Sequence, residues 1–158
     1  MFGWGASLYI KSSRPPADAM EILVTGKQWM WKIQHPNGKR EINELHVPLG
    51  VPMKLTMTSE DVIHSFFVPA FRVKRDVVPG MFTNLWFEAT KTGTFHLFCA
   101  EYCGVAHADM ITTVEAIPAA EFAAWLEDQP LAADAGKALL QKHGCLGCHS
   151  LDGTPMVG

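Results

Sequence analysis

The stretch Phe98-Cys-Ala-Glu-Tyr-Cys-Gly-Val-Ala-His-Ala-Asp-Met110 decides how the rest of this chain is interpreted. An apolar, β-like segment leads into it, so we expect its side chains in one loop at the end of a strand. Two cysteines, a histidine and a methionine follow one another at intervals of four, four and three residues: Cys99, Cys103, His107 and Met110. Thiolates and an imidazole clustered in a single loop indicate a metal site.

This donor set favours copper, because a thiolate, an imidazole and a weak thioether form the ligand set of copper electron-transfer sites. Such sites need a second histidine from another part of the fold. His64 lies beside an apolar run 35 residues before Cys99, so it can reach the loop from an adjacent strand. A site for one copper ion uses a single cysteine. The second cysteine, Cys103, supplies a second bridging thiolate, which lets two copper ions share the charge.

Three other interpretations stay open on the residues alone. Cys99 and Cys103 could form a disulfide bond, as cysteines outside the cytoplasm do. Zinc also binds Cys and His, although Met is a poor zinc ligand and structural zinc sites more often use Cys-x-x-Cys pairs. His64 and Met110 could each be an ordinary core side chain.

The residues around the loop show the two-residue alternation of half-buried β-strands. Residues 51–57 alternate apolar and polar side chains, and residues 29–34 do the same. Turn signals such as Pro36-Asn37-Gly38 separate these segments. Short strands with no helical pattern between them predict an antiparallel sandwich or barrel. The other predicted strands are residues 21–25, 42–47, 83–89, 94–98 and 111–116.

The N-terminus departs from the β pattern. Residues 1–10 are apolar but too short to span a bilayer, which takes about 20 residues, and they lack the features of a signal peptide. We expect residues 1–13 to be the end of a transmembrane helix, with a frayed apolar tail as the alternative. Residues 14–20 contain Pro15-Pro16 and are predicted to be a linker.

The C-terminus carries a second motif. Residues 118–130 are predicted to form a helix and a linker, and residues 132–142 a second helix. That helix leads into Cys145, Cys148 and His149, which form the Cys-x-x-Cys-His pattern of c-type haem attachment. Only nine residues follow His149, too few to wrap a haem. We therefore expect residues 131–158 to be a truncated start of a cytochrome c domain, without haem in this chain.

Composition limits the class of protein. The chain has 158 residues, of which 48% are hydrophobic and 18% charged, as expected of a globular protein. Its net charge is −3, and no basic run is longer than Lys74-Arg75. Nucleic acid is therefore excluded as a partner, because binding it needs a concentrated basic surface.

The loop resembles the CuA site of haem–copper oxidase subunit II, whose pattern is Cys-x-Glu-x-Cys-x-x-x-His-x-x-Met with an upstream His. The resemblance covers roughly residues 1–127 and includes Gly26-Lys-Gln-Trp-Met-Trp31, His64-Ser-Phe-Phe-Val-Pro69 and Arg72-Val-Lys-Arg-Asp-Val-Val-Pro-Gly80. It implies an all-β, cupredoxin-like Greek-key barrel or sandwich over residues 21–117. With the haem motif, the chain looks like subunit II of caa-type cytochrome c oxidases.

The resemblance implies a role for each residue of the site. Two copper ions would be bridged by the thiolates of Cys99 and Cys103. The imidazoles of His64 and His107 would be the terminal ligands. Met110 and the backbone carbonyl of Glu101 would be weak axial ligands. The side chain of Glu101 would also reach a magnesium ion at the interface with subunit I. Trp29 would accept electrons from cytochrome c, whereas Trp31 would pack in the core.

The resemblance also implies partners and a location. Electrons would pass from the copper pair to the haem of subunit I, where oxygen is reduced to water, and Lys74, Arg75 and Asp76 would face that subunit. Missing N-terminal helices would anchor the protein in the cytoplasmic membrane of a bacterium, with this domain on the periplasmic face.

Two alternatives compete with this function. The CuA domain of nitrous oxide reductase is similar but typically has an aromatic residue at the position of Glu101. A copper-delivery module would favour exposed, Met-rich tracts, whereas the eight methionines here are scattered.

Overall fold

Two five-stranded β-sheets form the framework of residues 1–128, the part of the chain that the computed structural model describes. Residues Met1–Leu126 form one unit of the fold, and a second unit, Glu127–Gly158, lies almost entirely outside the described residues. The helices are α1 (Phe2–Ser13) and α2 (Ala119–Glu127). The strands are β1 (Met20–Lys27), β2 (Met30–Gln34), β3 (Arg40–Ile42), β4 (Glu44–Pro48), β5 (Pro52–Ser59), β6 (His64–Val68), β7 (Val73–Val77), β8 (Thr83–Glu88), β9 (Gly93–Cys99) and β10 (Ile111–Ile117).

The strand order departs from the antiparallel sandwich that the sequence predicts. The sheets have the orders β3-β2-β1-β5-β8 and β4-β10-β9-β6-β7. Most neighbours are antiparallel, but β1 pairs with β5 and β4 pairs with β10 in parallel. The parallel pairs arise because the chain leaves one sheet for the other between partners, so both partners start at the same end of their sheet. The expectation of an all-β barrel or sandwich is confirmed, and its purely antiparallel character is wrong.

The core lies between the two sheets and follows the predicted alternation. In β5 every second side chain is buried, and Met53, Leu55 and Met57 have no exposed surface. β1 supplies Ile22 and Val24 from the neighbouring position in the sheet. Apolar side chains on one face of a strand are therefore what joins the sheets.

Three strand predictions need correction. The strand expected at residues 42–47 is split at Asn43, whose φ of 60° breaks the extended backbone while its side-chain oxygen accepts a hydrogen bond from the N–H of Trp31 at 2.9 Å. The strand expected from residue 29 begins at Met30, and Trp29 lies in the preceding turn. The predicted alternation includes neither β6, apart from the adjacent strand inferred for His64, nor β7. Four of the five residues of β6 are buried, and the exposed charged run Lys74–Asp76 interrupts the alternation in β7.

The N-terminal segment is helical, as its sequence suggests, and none of the side chains of α1 is buried. Trp86 on β8 donates its indole N–H to the carbonyl of Ser12 at 2.8 Å, which ties the end of α1 to the first sheet. Within residues 1–128, no helix has both the length and the apolar character needed to cross a bilayer. The assignment of residues 1–13 to a transmembrane helix stays a prediction.

The helix predicted at residues 118–126 is present as α2, and aromatic contacts join it to the sheets. Trp125 stacks on the ring of His46, with the centroids 4.4 Å apart, and lies edge-on to His35. Between the two histidines the buried carboxylate of Glu41 is 2.6 Å from His35 Nε2 and 2.5 Å from His46 Nδ1. The end of the linker predicted up to residue 130 and the second helix predicted at residues 132–142 lie outside the described residues.

The charges of this cluster make the stability of the fold depend on pH. Burial would lower the pKa of His46, but the hydrogen bond and charge of Glu41, aided by the charges of Glu44 and Glu115, raise it. Burial would raise the pKa of Glu41, but its hydrogen bonds with His35 and His46 lower it. The histidine therefore stabilises the fold below its ordinary pKa of about 6.5, and this contribution is lost as pH rises through the raised value. The carboxylate stabilises the fold above its ordinary pKa, and this contribution is lost as pH falls through the lowered value.

We expect His46→Gln to lower the thermal unfolding temperature more at about pH 6 than at about pH 9, because the protonated imidazole gains the charge attraction of Glu41 in addition to the hydrogen bond. Circular dichroism melts of the metal-free chain measure the difference. The control is His96→Gln, since His96 is exposed on β9. An equal loss of stability for His46→Gln at both pH values would contradict the role of this charge pair.

Candidate metal centre

The loop of residues 100–110 connects β9 to β10 and begins where β9 pairs with β6. Cys99 is the last residue of β9 and lies opposite Phe66 of β6. The N–H of Ala100 donates to the carbonyl of Ser65 at 3.0 Å, which extends this pairing past the strand. The N–H of Cys99 donates to the carbonyl of Met110 at 3.3 Å, so the two ends of the loop are held together.

The fold brings the predicted sulfur and imidazole donors to one place. The Sγ atoms of Cys99 and Cys103 are 3.8 Å apart. His64 Nδ1 lies 3.9 Å from Cys99 Sγ, and His107 Nδ1 lies 3.4 Å from Cys103 Sγ. Each sulfur therefore has its own imidazole, one from the start of β6 and one from the loop.

Two weaker donors complete the arrangement. The carbonyl oxygen of Glu101 is 3.2 Å from Cys99 Sγ, and the Sδ atom of Met110 is 3.9 Å from Cys103 Sγ. Met110 is buried and its sulfur faces the thiols, which goes beyond the packing role of an ordinary core methionine. The side chain of Glu101 is exposed.

These residues fit copper better than the alternatives. Both cysteines are free thiols, so the disulfide interpretation does not describe this structure. Ligand atoms of His64, Cys99 and Cys103 all lie within 4.8 Å of one another, close enough to bind a common metal. A structural zinc ion would be complete with two thiolates and two imidazoles, leaving the thioether of Met110 without a role. Copper electron-transfer sites use that thioether as a weak axial ligand.

The two thiols differ in their acidity. Burial opposes the ionisation of Cys99, but its hydrogen bonds with His64 and with the backbone of Glu101 lower its pKa. Burial and the charge of Cys99 raise the pKa of Cys103. Thiolate is the form that binds metal, so in the metal-free chain Cys99 is the better prepared of the two ligands.

His64 is confined on two sides. A side chain at Gly26 would place its Cβ 2.9 Å from Cδ2 of His64, so only glycine leaves room for the ring there. The indole of Trp31 packs edge-on against the imidazole, with centroids 5.8 Å apart. Trp31 has no exposed surface, which confirms its predicted packing role.

Trp29 lies over the outer side of the loop. It is 36% exposed, and its indole N–H donates to the carbonyl of Cys103 at 3.2 Å. The side chain of Gln28 donates to the same carbonyl at 2.9 Å.

Lys74, Arg75 and Asp76 lie on β7 with exposed side chains.

Sequence reasoning missed two residues of this centre. Asp61 accepts a hydrogen bond from Nε2 of His64 at 2.9 Å, and Gln28 contacts the ligand loop from the turn after β1. A carboxylate three residues before a candidate ligand histidine is a signal that could have found Asp61. The haem motif at Cys145, Cys148 and His149 lies outside the described residues.

The fold and this donor set define a copper-binding, cupredoxin-like electron-transfer domain. The family described as cytochrome c oxidase subunit II, periplasmic domain, matches residues 39–117. The chain belongs to this family.

Relatives of known structure and sequence agree with this assignment. The crystal structure of the periplasmic domain of subunit II of cytochrome oxidase (CoxB) of Bradyrhizobium japonicum has a TM-score of 0.68 and 37% identity, covering 72% of this chain and 95% of that one. Subunit II in a crystallised mixed disulfide intermediate with a thioredoxin-like protein has a TM-score of 0.64 and 34% identity, covering 72% of this chain and 92% of that one.

Among curated sequences, cytochrome c oxidase subunit 2 of Cereibacter sphaeroides is 47% identical, and the match covers 76% of this chain and 52% of the relative. Alternative cytochrome c oxidase subunit 2 of Bradyrhizobium diazoefficiens is 36% identical, and the match covers 72% of this chain and 52% of the relative. The chain thus spans about half the length of these relatives, which are subunits of an oxidoreductase.

We expect Gly26→Ala to destabilise the reduced, metal-free chain by about 1–3 kcal/mol, because the new methyl group would overlap the ring of His64. Pairing of Gly26 with both β2 and β5 prevents the backbone from moving away. Urea unfolding measures the effect. Gly5→Ala is the control, since a side chain there meets open space. Equal stability of the Gly26→Ala chain and the wild type would show that the ring is not confined.

Proposed function

We propose that this chain is the electron-accepting part of a haem–copper terminal oxidase: it receives electrons from cytochrome c and passes them to the haem of subunit I, where oxygen is reduced to water. Its family membership supports this assignment. The observation that carries it is the pair of free, facing thiols of Cys99 and Cys103, each with its own imidazole.

Each candidate ligand would have a distinct role at the copper pair. Cys99 and Cys103 would bridge two copper ions, with His64 and His107 as the outer ligands. The carbonyl of Glu101 and the thioether of Met110 would be weak ligands, one on the side of each cysteine. When bound, the copper pair supplies one-electron transfer in which no substrate bond is made or broken.

The protein itself holds the candidate ligands rigidly and excludes water from them. The side chains of His64 and Met110 are fully or almost fully buried, and only 7% of Cys99 and 2% of Cys103 are exposed. The ends of the loop are hydrogen-bonded to each other and to β6. Ligands held this way move little when the charge of a metal centre changes, and the surroundings of the sulfurs adjust its potential.

Trp29 is the residue at which we propose that electrons arrive. Its ring reaches the surface, and its indole N–H is hydrogen-bonded to the carbonyl of Cys103. This bond connects the exposed aromatic ring to a bridging cysteine by a short path, whereas Trp31 is buried and has no such connection to the surface.

The remaining assignments depend on the resemblance and on the sequence motif. We propose that the exposed carboxylate of Glu101 binds magnesium at the interface with subunit I, and that Cys145, Cys148 and His149 attach haem c in a longer parent protein. The parent protein would lie in the cytoplasmic membrane, with this domain in the periplasm. A copper-delivery module is less favoured, because Met53, Met57 and Met110 are buried rather than arranged on the surface.

A thioredoxin-like protein is a further proposed partner. A similar subunit II forms a mixed disulfide with such a protein. The two facing thiols of this chain must be reduced before they can bind copper, and a dithiol partner would restore that state after oxidation.

We expect Cys99→Ser and Cys103→Ser each to abolish the binuclear centre, because a hydroxyl does not replace a bridging thiolate. Copper analysis should fall from two ions per chain to one or none, and electron paramagnetic resonance should lose the hyperfine pattern of two equivalent nuclei. Met110→Leu is the control, since removal of a weak ligand should leave both ions bound and shift only the potential. A serine variant with two ions and an unchanged spectrum would refute the proposed function.

We expect Trp29→Phe to slow reduction by cytochrome c about tenfold or more, equivalent to about 1.4 kcal/mol in activation free energy, because the hydrogen bond to Cys103 is lost. The copper spectrum should not change. Stopped-flow mixing of the copper-loaded chain with reduced cytochrome c measures the rate. Trp86→Phe, which removes a tryptophan hydrogen-bonded to Ser12 instead, is the control. Equal rates for the two variants would exclude Trp29 as the acceptor.

A further inference from the structure

Asp61 occupies a position that connects two parts of the candidate metal centre. It lies in the bend before β6, three residues before His64, and a quarter of its side chain is exposed. Its Oδ1 accepts hydrogen bonds from His64 Nε2 at 2.9 Å and from the N–H of Val62 at 2.7 Å. Its Oδ2 accepts the backbone N–H of Gln28 at 2.7 Å.

The first contact determines which nitrogen of His64 can bind a metal. A neutral imidazole carries one N–H and one lone pair. Because Nε2 must donate to Asp61, the lone pair lies on Nδ1, which points toward Cys99 Sγ at 3.9 Å. The ring cannot turn over easily, since Gly26 and Trp31 confine it.

The second contact holds the turn that covers the ligand loop. With its backbone N–H bound to Asp61, Gln28 extends its side chain to the carbonyl of Cys103 at 2.9 Å, and Trp29 donates to the same oxygen. The fit is close: a Cβ at Gly104 would lie 3.0 Å from Nε2 of Gln28. One carboxylate thus joins His64, the Gln28–Trp29 turn and, through that turn, the loop that carries Cys103.

We propose that Asp61 is the positioning residue of the copper centre, fixing His64 as a donor through Nδ1 and holding the Gln28–Trp29 turn over Cys103. This role rests on the proposed function, because it concerns ligands for copper. Asp61 itself contacts no candidate metal position; it acts through His64 and Gln28. A carboxylate that orients a metal-binding histidine commonly changes metal affinity about 10- to 100-fold when it is removed.

A matched control is available one residue away. Glu60 is also an acid beside β5, but its carboxylate pairs with Lys27 and Lys32 at 3.3 and 2.8 Å and touches no ligand residue. Replacing Glu60 or Asp61 by Ala removes the same charge from nearly the same place. Any difference between the two variants therefore reports on the contacts of Asp61 and not on the charge alone.

The first measurement is the tautomer of His64 in the reduced, metal-free chain, read from the imidazole nitrogen shifts in ¹H–¹⁵N NMR spectra. Wild type and Glu60→Ala should both show a single form with the proton on Nε2. Asp61→Ala should show a mixture or the opposite form. Asp61→Asn retains one acceptor oxygen and should keep the wild-type form if that oxygen faces His64. Retention of the wild-type form in Asp61→Ala would overturn the proposal.

The second measurement uses the copper-loaded chain. Asp61→Ala should lose copper(I) to the chelator bathocuproine disulfonate about tenfold more readily than wild type, with altered nitrogen hyperfine couplings in the mixed-valence state. Glu60→Ala should stay within about twofold of wild type. Equal copper retention and couplings in Asp61→Ala and Glu60→Ala would overturn the positioning role. Failure of the wild-type chain to bind a copper pair would instead refute the proposed function, and the tautomer measurement does not depend on that result.

Discussion

The pairing of β6 with β9 is the contact on which the rest of the centre depends. Only two residue pairs form it, Phe66 with Cys99 and Phe67 with Phe98, and the hydrogen bond between Ala100 and Ser65 extends it by one step. This short ladder brings the start of β6, and with it His64, beside a thiol 35 residues away in sequence. A shift of register by one residue would turn His64 away from the thiols, because neighbouring side chains on a strand point to opposite faces.

The centre is also a case in which one segment supplies most donors and the fold supplies the rest. Residues 99–110 carry both sulfurs of the pair, one imidazole and both weaker donors. Those contacts are local, so they need only the loop to close. His64 and Asp61 depend on strand pairing and packing, and the Gln28–Trp29 turn depends on both. Tertiary structure therefore acts mainly to orient ligands whose identity the loop already determines.

This division explains how much could be predicted from the sequence. The donor spacing of the loop and the alternation of β5 are local patterns: the alternation is confirmed, and the two cysteines of the loop do face each other, while their role as copper ligands stays a prediction. The parallel pairings were not predictable, because they depend on where the chain crosses between sheets. Strand β6 was missed because almost every one of its side chains is buried. Gln28 and Asp61 have no periodic signature, and their importance lies in contacts 75 and 33 residues away in sequence.

The order of the strands has a consequence for synthesis on the ribosome. β4 has a single strand neighbour among residues 1–128, and that neighbour is β10, the last strand in this part of the chain. The second sheet therefore remains open at one side while the nascent chain emerges, and contacts between such distant segments form slowly. Both thiols leave the ribosome before the strand that closes their loop. The finished surroundings of both thiols therefore exist only once β10 has paired with β4 and β9.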